Sequence, residues 1–319
     1  MTAVLVAFDG SDQSKAALEY AFRTFPDADF TVLYTLDDDH SQPGLSNVKA
    51  MLKWLKSSEG RAELLYDTFM TATEKWDVSA TAELVMDGLA KAVVKRAETG
   101  EFDQVVIGNY SRSERQLGRF TTVTERITRR VSLPVTAVRS LQNGQFATPP
   151  ETVLVPMNGS EQGNKALDYA CSNFPTADIT ALNVVEPLSV YFDDLDMEEW
   201  KTETIEEWET EIETHRSEIE SLSQTLQNQS KSVLERATAR AENQGIDLAT
   251  VSVTGKPTET ILSHVTDASI DLVCMGRHSR SRVEQFILGS VTESVLKNCP
   301  APVTTLRERP DDELRERSN

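Results

Sequence analysis

At 319 residues the chain has room for about two domains of ordinary size. Acidic side chains outnumber Lys and Arg by 51 to 32, giving a net charge of −19, which a nucleic acid or an anionic membrane would repel over most of the surface. No apolar run approaches the ~18–20 residues of a membrane span. The opening MTAVLVAFDG lacks the basic start of a secretory leader, and Cys171, Cys274 and Cys299 form no CxxC pair. The expectation is a cytoplasmic, acidic protein with neither a nucleic-acid nor a membrane partner.

The chain repeats itself. Residues 4–37 align without gaps onto 153–186 with 16 of 34 positions identical, and 85–139 align onto 253–307. The offset rises from 149 to 168, so the second copy carries 19 extra residues between its two blocks. In chain order each copy opens on a buried apolar strand, VLVAF or VLVPM, which runs into a Gly-Ser turn and an amphipathic helix. In SKAALEYAFRTF, Ala17, Tyr20, Ala21 and Phe25 recur at helical spacing. Strands 30–36 and 179–185 follow, then a variable helical stretch and strands near 78–86 and 246–253. Short helices (88–98, 257–267), strands ending in glycine (104–107, 271–275), further helices (121–131, 289–298) and last strands (135–139, 303–307) complete each unit. Such alternation predicts an α/β protein built from two tandem units, each a parallel sheet with helices on both faces. The expected domains are 1–140 and 152–308, joined by a linker at 141–151 where Gly, Asn and a double proline break periodicity, with a charged tail at 309–319.

In open α/β sheets ligands bind beyond the carboxyl ends of strands, where strand order reverses. Two segments qualify in the second copy: the Asn158-Gly159 loop, and Gly276-Arg277-His278-Ser279 followed nine residues later by Gly289-Ser290. Glycines admit close approach, a helix start presents N–H groups to an anion, and Ser290 adds a hydroxyl donor. Arg277, Arg280 and Arg282 place positive charge there. The same residues have blander readings: Asp9 and Asn158 as turn formers, the arginines as a solvated loop, His264 and His278 as packing or surface groups, the cysteines as buried inert thiols. No cluster has metal-ligand spacing, and no nucleophile–base pair suggests an enzyme.

The spacing G-x2-G-x9-G-[ST], the first-strand VPMNGS, the Gly255-Lys256-Pro257 turn, the ASIDLVCMG strand and a V-x-E helix leading to a Pro-Val strand resemble the universal stress protein family. The resemblance spans both copies, about 3–139 and 152–307. It implies two tandem Rossmann-like sandwiches, each with five parallel strands, and a pairing of the last strands, 135–139 with 303–307, as an intramolecular pseudo-dimer; a homodimer stays open. It also implies a stress-response regulatory module, some of whose members bind ATP. In the second copy Gly276, Ser279, Gly289 and Ser290 would hold phosphates, Asn158 and Gly159 the ribose side, and Val184 and Val253 the base; Arg277 joins this set. Magnesium would enter only with the nucleotide, and hydrolysis would be slow and incidental. Asn158 replaces an aspartate, and Ser279 a glycine, of the ATP-binding pattern. In the first copy the weaker equivalents are Asp9, Gly108, Ser111, Thr121 and Thr122, with threonines where Gly-[ST] is expected and Asp87 nearby.

The extra residues lie within 187–230, which holds 13 acidic and 2 basic side chains, a net of −11 out of −19. Trp208, Ile212, His215, Ile219, Leu222 and Leu226 fall at spacings of three and four. An element over 196–243 is either a coiled-coil arm for self-association or an amphipathic helix packed on its own protein. This surface supports the alternative function, a nucleotide-free scaffold acting through protein partners. Lys is scarcer than Arg, 12 against 20, which keeps a halophilic source open.

Overall fold

The computed structural model describes residues 2–35, 63, 66–85, 88–109, 123–139, 148–187, 205–277 and 288–307; within the helix over 205–242, side chains are described at 216 and from 220 onward. The first copy contributes β1 (Ala3–Phe8), α1 (Asp12–Thr24), β2 (Asp29–Thr35), a helix α2 over 66–76, β3 (Ala80–Val85), α3 (Leu89–Ala97), β4 (Gln104–Gly108), α4 (Val123–Arg130) and β5 (Val135–Val138). The second contributes β6 (Thr152–Pro156), α5 (Glu161–Asn173), β7 (Asp178–Val185), α6 (Ile205–Glu242), β8 (Leu248–Thr254), α7 (Pro257–Asp267), β9 (Leu272–Gly276), α8 (Ser290–Asn298) and β10 (Val303–Leu306).

The strands form one sheet in the order β3-β2-β1-β4-β5-β10-β9-β6-β7-β8. Within each copy every pairing is parallel, as βαβ crossovers require. The copies meet where β5 and β10 run antiparallel, with Thr136 opposite Thr304. These two residues are equivalent in the repeat, and their hydroxyls bond to each other at 2.8 Å, so the local two-fold passes between them.

The helices cover the sheet differently on its two faces. Where α3, α4, α7 and α8 lie, one apolar core crosses the seam, joining Leu5, Ile107 and Val135 to Val273, Val295 and Val303. On the other face each copy keeps its own core, under α1 and α2 in the first and under α5 and α6 in the second. Phe25 and Phe174, which end α1 and α5, touch across that face with ring centres 6.2 Å apart. Strands buried on both sides explain the unbroken VLVAF and VLVP runs; each buried Val, Leu and Phe in them contributes about 1.5–3 kcal/mol by leaving water.

The turn after the first strand is the same in both copies. Asp9 and Asn158 each accept the N–H of the serine two residues on, at 3.0 and 3.1 Å. Gly10 and Gly159 take φ of 81° and 79°, which only glycine adopts without strain. Ser11 and Ser160 then cap α1 and α5 by accepting the N–H of Ser14 and Gly163. Asp9 and Asn158 therefore act as the turn formers of the bland reading, with Asn158 Oδ1 spent on the backbone.

The long segment of the second copy is one helix over its described length. Its 38 residues reach ~57 Å at 1.5 Å per residue. Ser230, Leu234, Ala237 and Ala241 are its buried stripe, and the helix packs on β7, β8 and α5. Arg240 holds Asp168 of α5 through two bonds of 2.7 Å. From Leu226 to Ala241, therefore, α6 packs on its own domain; the expected seam residues Trp208, Ile212, His215 and Ile219 lie outside the described side chains.

Candidate functional site

A cavity of about 550 Å³ opens at the carboxyl ends of β6, β7 and β9. Chain direction away from β6 reverses here, β7 and β8 lying on one side and β9 and β10 on the other, so this is the switch point at which α/β folds place ligands. One wall is apolar: Leu182, Val184 and Val185 from β7, Ile261 from α7, Met275 from β9 and Leu226 from α6. The lining also includes Asn158, Ser160, Gly276, Gly289, Ser290 and Thr292. Gln229, Ser230 and Val233 of α6 close the side.

Three helices begin at this cavity. Ser160 caps α5, but α7 and α8 start at Lys256 and Gly289 without a side-chain cap. An α-helix leaves its first N–H groups without intrahelical partners and carries partial positive charge at that end. Two uncapped starts at one cavity, with Ser290 and Asn158 also in its lining, give it partial positive charge of the kind an anion can use. Thr292 fixes the start of α8 to the end of β9 by donating to the Gly276 carbonyl at 3.2 Å, and Thr124 does the same to Gly108 in the first copy at 2.8 Å.

Gly276 has a second duty that its motif position conceals. A Cβ there would stand 2.6–2.7 Å from the backbone and Cβ of Gln162 in the first turn of α5, and one on Gly108 would stand 2.7 Å from the backbone of Gln13 and Ser14. Both glycines let a helix start lie directly on the neighbouring strand, a packing need that exists with or without ligand.

Of the residues singled out from sequence, Asn158, Val184, Gly276, Gly289 and Ser290 line the cavity. Gly159 lies just beyond it, in a groove between its own turn and α6. Val253 pairs with Val184 in register but packs into the core that crosses the seam instead of lining the cavity. Ser279 and the first-copy Ser111, Thr121 and Thr122 lie outside the described residues, as do Arg280, Arg282 and His278.

Arg277 is a correction. Its side chain turns away from the cavity, is 4% exposed, and donates from Nη2 to the carbonyls of Val131 and Leu133 in the first copy, at 3.0 and 3.2 Å. Burial, with Arg307 nearby, pushes the guanidinium pKa down to about 9. Asn109, its equivalent, reaches the opposite way and donates to Leu296 in the second copy at 2.6 Å. The residue after each glycine is thus a cross-seam tie. The cysteines are buried, as expected, and burial raises all three thiols, Cys299 to about 12.

Sequence reading missed the residues that shape the cavity most. Met157 forms part of its floor, buried Asn183 spends its Nδ2 on the Met157 carbonyl at 2.6 Å, and Ser230 bonds Ser252 across to β8 at 2.7 Å. Small and polar residues on the stripe of α6 that otherwise carries Leu234, Ala237 and Ala241 were the available signal for Ser230. Among the described residues no group of three or more His, Cys, Asp or Glu could hold a metal ion, and no helix is long and apolar enough to cross a membrane.

A tandem Rossmann-like α/β fold with a cavity at its switch point defines the class of protein. The profile of the universal stress protein family matches residues 1–139 and again 150–307, and the chain belongs to that family. It is 27% identical over 106 residues to a universal stress protein of Methanocaldococcus jannaschii, a match covering 33% of this chain and 59% of that one. A second protein of the same organism is matched over 52% of its length, so the chain spans little more than half of each. Universal stress protein YxiE of Bacillus subtilis is 26% identical over 157 residues, 49% of this chain and 97% of its own. The crystal structure of a universal stress protein from Archaeoglobus fulgidus superimposes with a TM-score of 0.65 at 18% identity, covering 96% of this chain and 98% of that one. This last likeness establishes the shared fold.

Proposed function

We propose that this protein is a ligand-binding regulatory module of the stress response whose second copy binds an adenine nucleotide. The observation that carries the reading is the mixed lining of this cavity: Val184, Ile261 and Leu226 suit a base, and the uncapped start of α8 with Gly289 and Ser290 suits a phosphate. Asn158 keeps an amide N–H₂ for the ribose or phosphate after its Oδ1 has been used in the turn. Magnesium, where it enters, comes with the phosphates, because Asn158 presents an amide in place of a hard carboxylate. Glu186 is the one ionisable group among the described lining residues, which favours binding over turnover.

Thermal melting with added AMP and ATP tests this. Ligand at roughly a hundredfold its Kd adds about 2.7 kcal/mol to stability, so the melting temperature should rise. Gly289 has a φ of −58°, which valine tolerates, so Gly289→Val should melt normally without nucleotide and show no shift with it. A wild-type protein indifferent to both nucleotides refutes the reading; a shift that survives Gly289→Val moves the site elsewhere.

A further inference from the structure

We infer that the outer edge of β8 is a dimerisation surface whose partner is β8 of a second molecule of this protein, run antiparallel. The inference does not depend on the nucleotide reading. The sheet ends in β3 on one side and β8 on the other, and among the described residues neither has a strand beyond it. The two edges are equivalent in the repeat: Phe30 faces Ala80 where Ile179 faces Leu248, and the registers run on unbroken to Val85 and Val253. They are guarded differently. Within β3 stands Glu83, to which Arg96 of α3 donates from Nη2 and Nε at 2.6 and 3.2 Å. The equivalent of Glu83 is Val251, and that of Arg96 is His264. Proteins blunt an unpaired edge with a charge, a proline or a bulge. β8 reads LATVSVT in continuous register and has none of the three.

The pattern of β8 selects its own kind. Gly255 donates to the Val185 carbonyl at 2.9 Å. By the alternation of a parallel ladder, the odd-numbered residues of β8 then bond to β7, and Leu248, Thr250, Ser252 and Thr254 turn their N–H and C=O groups to the open side. A two-fold axis at Val251 sets Thr250 opposite Ser252 of the partner subunit and Leu248 opposite Thr254 of the partner subunit. These are the hydrogen-bonded positions of an antiparallel ladder, so the outward groups of the strand are all used, and Val251 meets its own equivalent at a close, non-hydrogen-bonded position. The side chains match on both faces. Ser252 bonds Ser230 of α6, which puts the hydroxyls of Thr250 and Ser252 on the α6 face. On the other face Val251 and Val253, half-buried against the core that crosses the seam, meet Val251 and Ala249 of the partner subunit. The flanking residues, exposed Asp247 and Lys256, bring opposite charges to each end of the pairing. A net charge of −19 makes two molecules repel over most of their surface; this strip is uncharged along its length and complementary at its ends. The antiparallel meeting of β5 with β10, threonine to threonine, is the same kind of junction formed within one chain.

Sedimentation velocity of the full chain over a range of concentrations tests the inference on wild type, Val251→Lys and Val251→Glu. Wild type should show a concentration-dependent species of twice the mass of the chain. Each variant alone sets like charges face to face on the axis and should sediment as a monomer. An equal mixture of the two should regain the dimer, because lysine then meets glutamate. Glu83 holds a charge at the equivalent position of the first copy, so both variants should melt close to wild type. Hydrogen exchange on the wild type needs no variant: the segment 248–254 should gain protection as concentration rises, and 80–85 should not. A wild type that stays monomeric, a dimer that both variants retain, folded variants that fail to pair on mixing, or protection gained at 80–85 instead would each overturn the pairing through β8.

Discussion

The two copies share strand order, turn geometry, helix caps and even the threonine that ties α4 or α8 to its strand, yet they furnish the switch point differently. Where the second copy has Met157 and Asn183, the first has Phe8 and Tyr34. Phe8 is fully buried under α1, and Tyr34 packs on the same core as Phe69 and Met70 of α2. The second copy also has Gly163 and Gly289 where the first has Ser14 and Thr121. The scaffold is therefore maintained by backbone hydrogen bonds and glycine contacts common to both, whereas the room for a ligand depends on side-chain volume at a few positions above the strand ends.

The largest effect should come from the contact the copies have in common. Gly276→Ala and Gly108→Ala each drive a Cβ to within 2.7 Å of a helix backbone that cannot swing aside, and each should cost about 3 kcal/mol in denaturant unfolding. Similar costs would show that the glycine serves helix–strand packing in both halves. A tolerated Gly108→Ala beside a damaging Gly276→Ala would break the equivalence and return this glycine to a ligand role. The next effect is on binding. Met157→Phe combined with Asn183→Tyr gives the second copy the furniture of the first, and should weaken AMP at least tenfold by filling the cavity, with the melting temperature of the free protein nearly unchanged. Unaltered affinity would mean that these volumes do not distinguish the copies.

Sequence made the duplication and the order of elements legible because both are local. Apart from α6, whose expected start at 196 lies outside the described residues, the strand and helix limits observed fall within two residues of those that periodicity predicts, since apolar runs, Gly-Ser turns and helical spacing act over a few residues. The antiparallel seam at Thr136 and Thr304 was legible only through family resemblance. What escaped is non-local. Nothing near Gln229 and Ser230 says which part of a 38-residue helix will lie over the ends of β7 and β8. Gly276 reads as a phosphate contact because the backbone it touches belongs to α5, more than a hundred residues earlier. The same distance misled the reading of Arg277: a cation beside a glycine loop suggests an anion, and only the meeting of β5 with β10 supplies the carbonyls that draw it away.

Arg277 also allows the finest test of the comparison, because its equivalent is neutral. Asn109 and Arg277 both cross the seam, but the arginine brings a charge into a site where its partners are two neutral carbonyls and where Nε and Nη1 have no partner among the described residues. Removing a guanidinium from water costs several kcal/mol; the charge-assisted bonds from Nη2 return about 1.5–3 kcal/mol each at best, and the nearby Arg307 opposes the charge further. The sum is close to balance and tilts against the arginine. Arg277→Asn should therefore stabilise the fold slightly, by about 1 kcal/mol, seen as a small rise in the denaturant midpoint at unchanged slope. Its effect on nucleotide affinity should stay within twofold, since the side chain points into the seam. A tenfold loss of ATP binding without loss of stability would instead place Arg277 at the phosphates, and the two copies would then differ in charge as well as in volume.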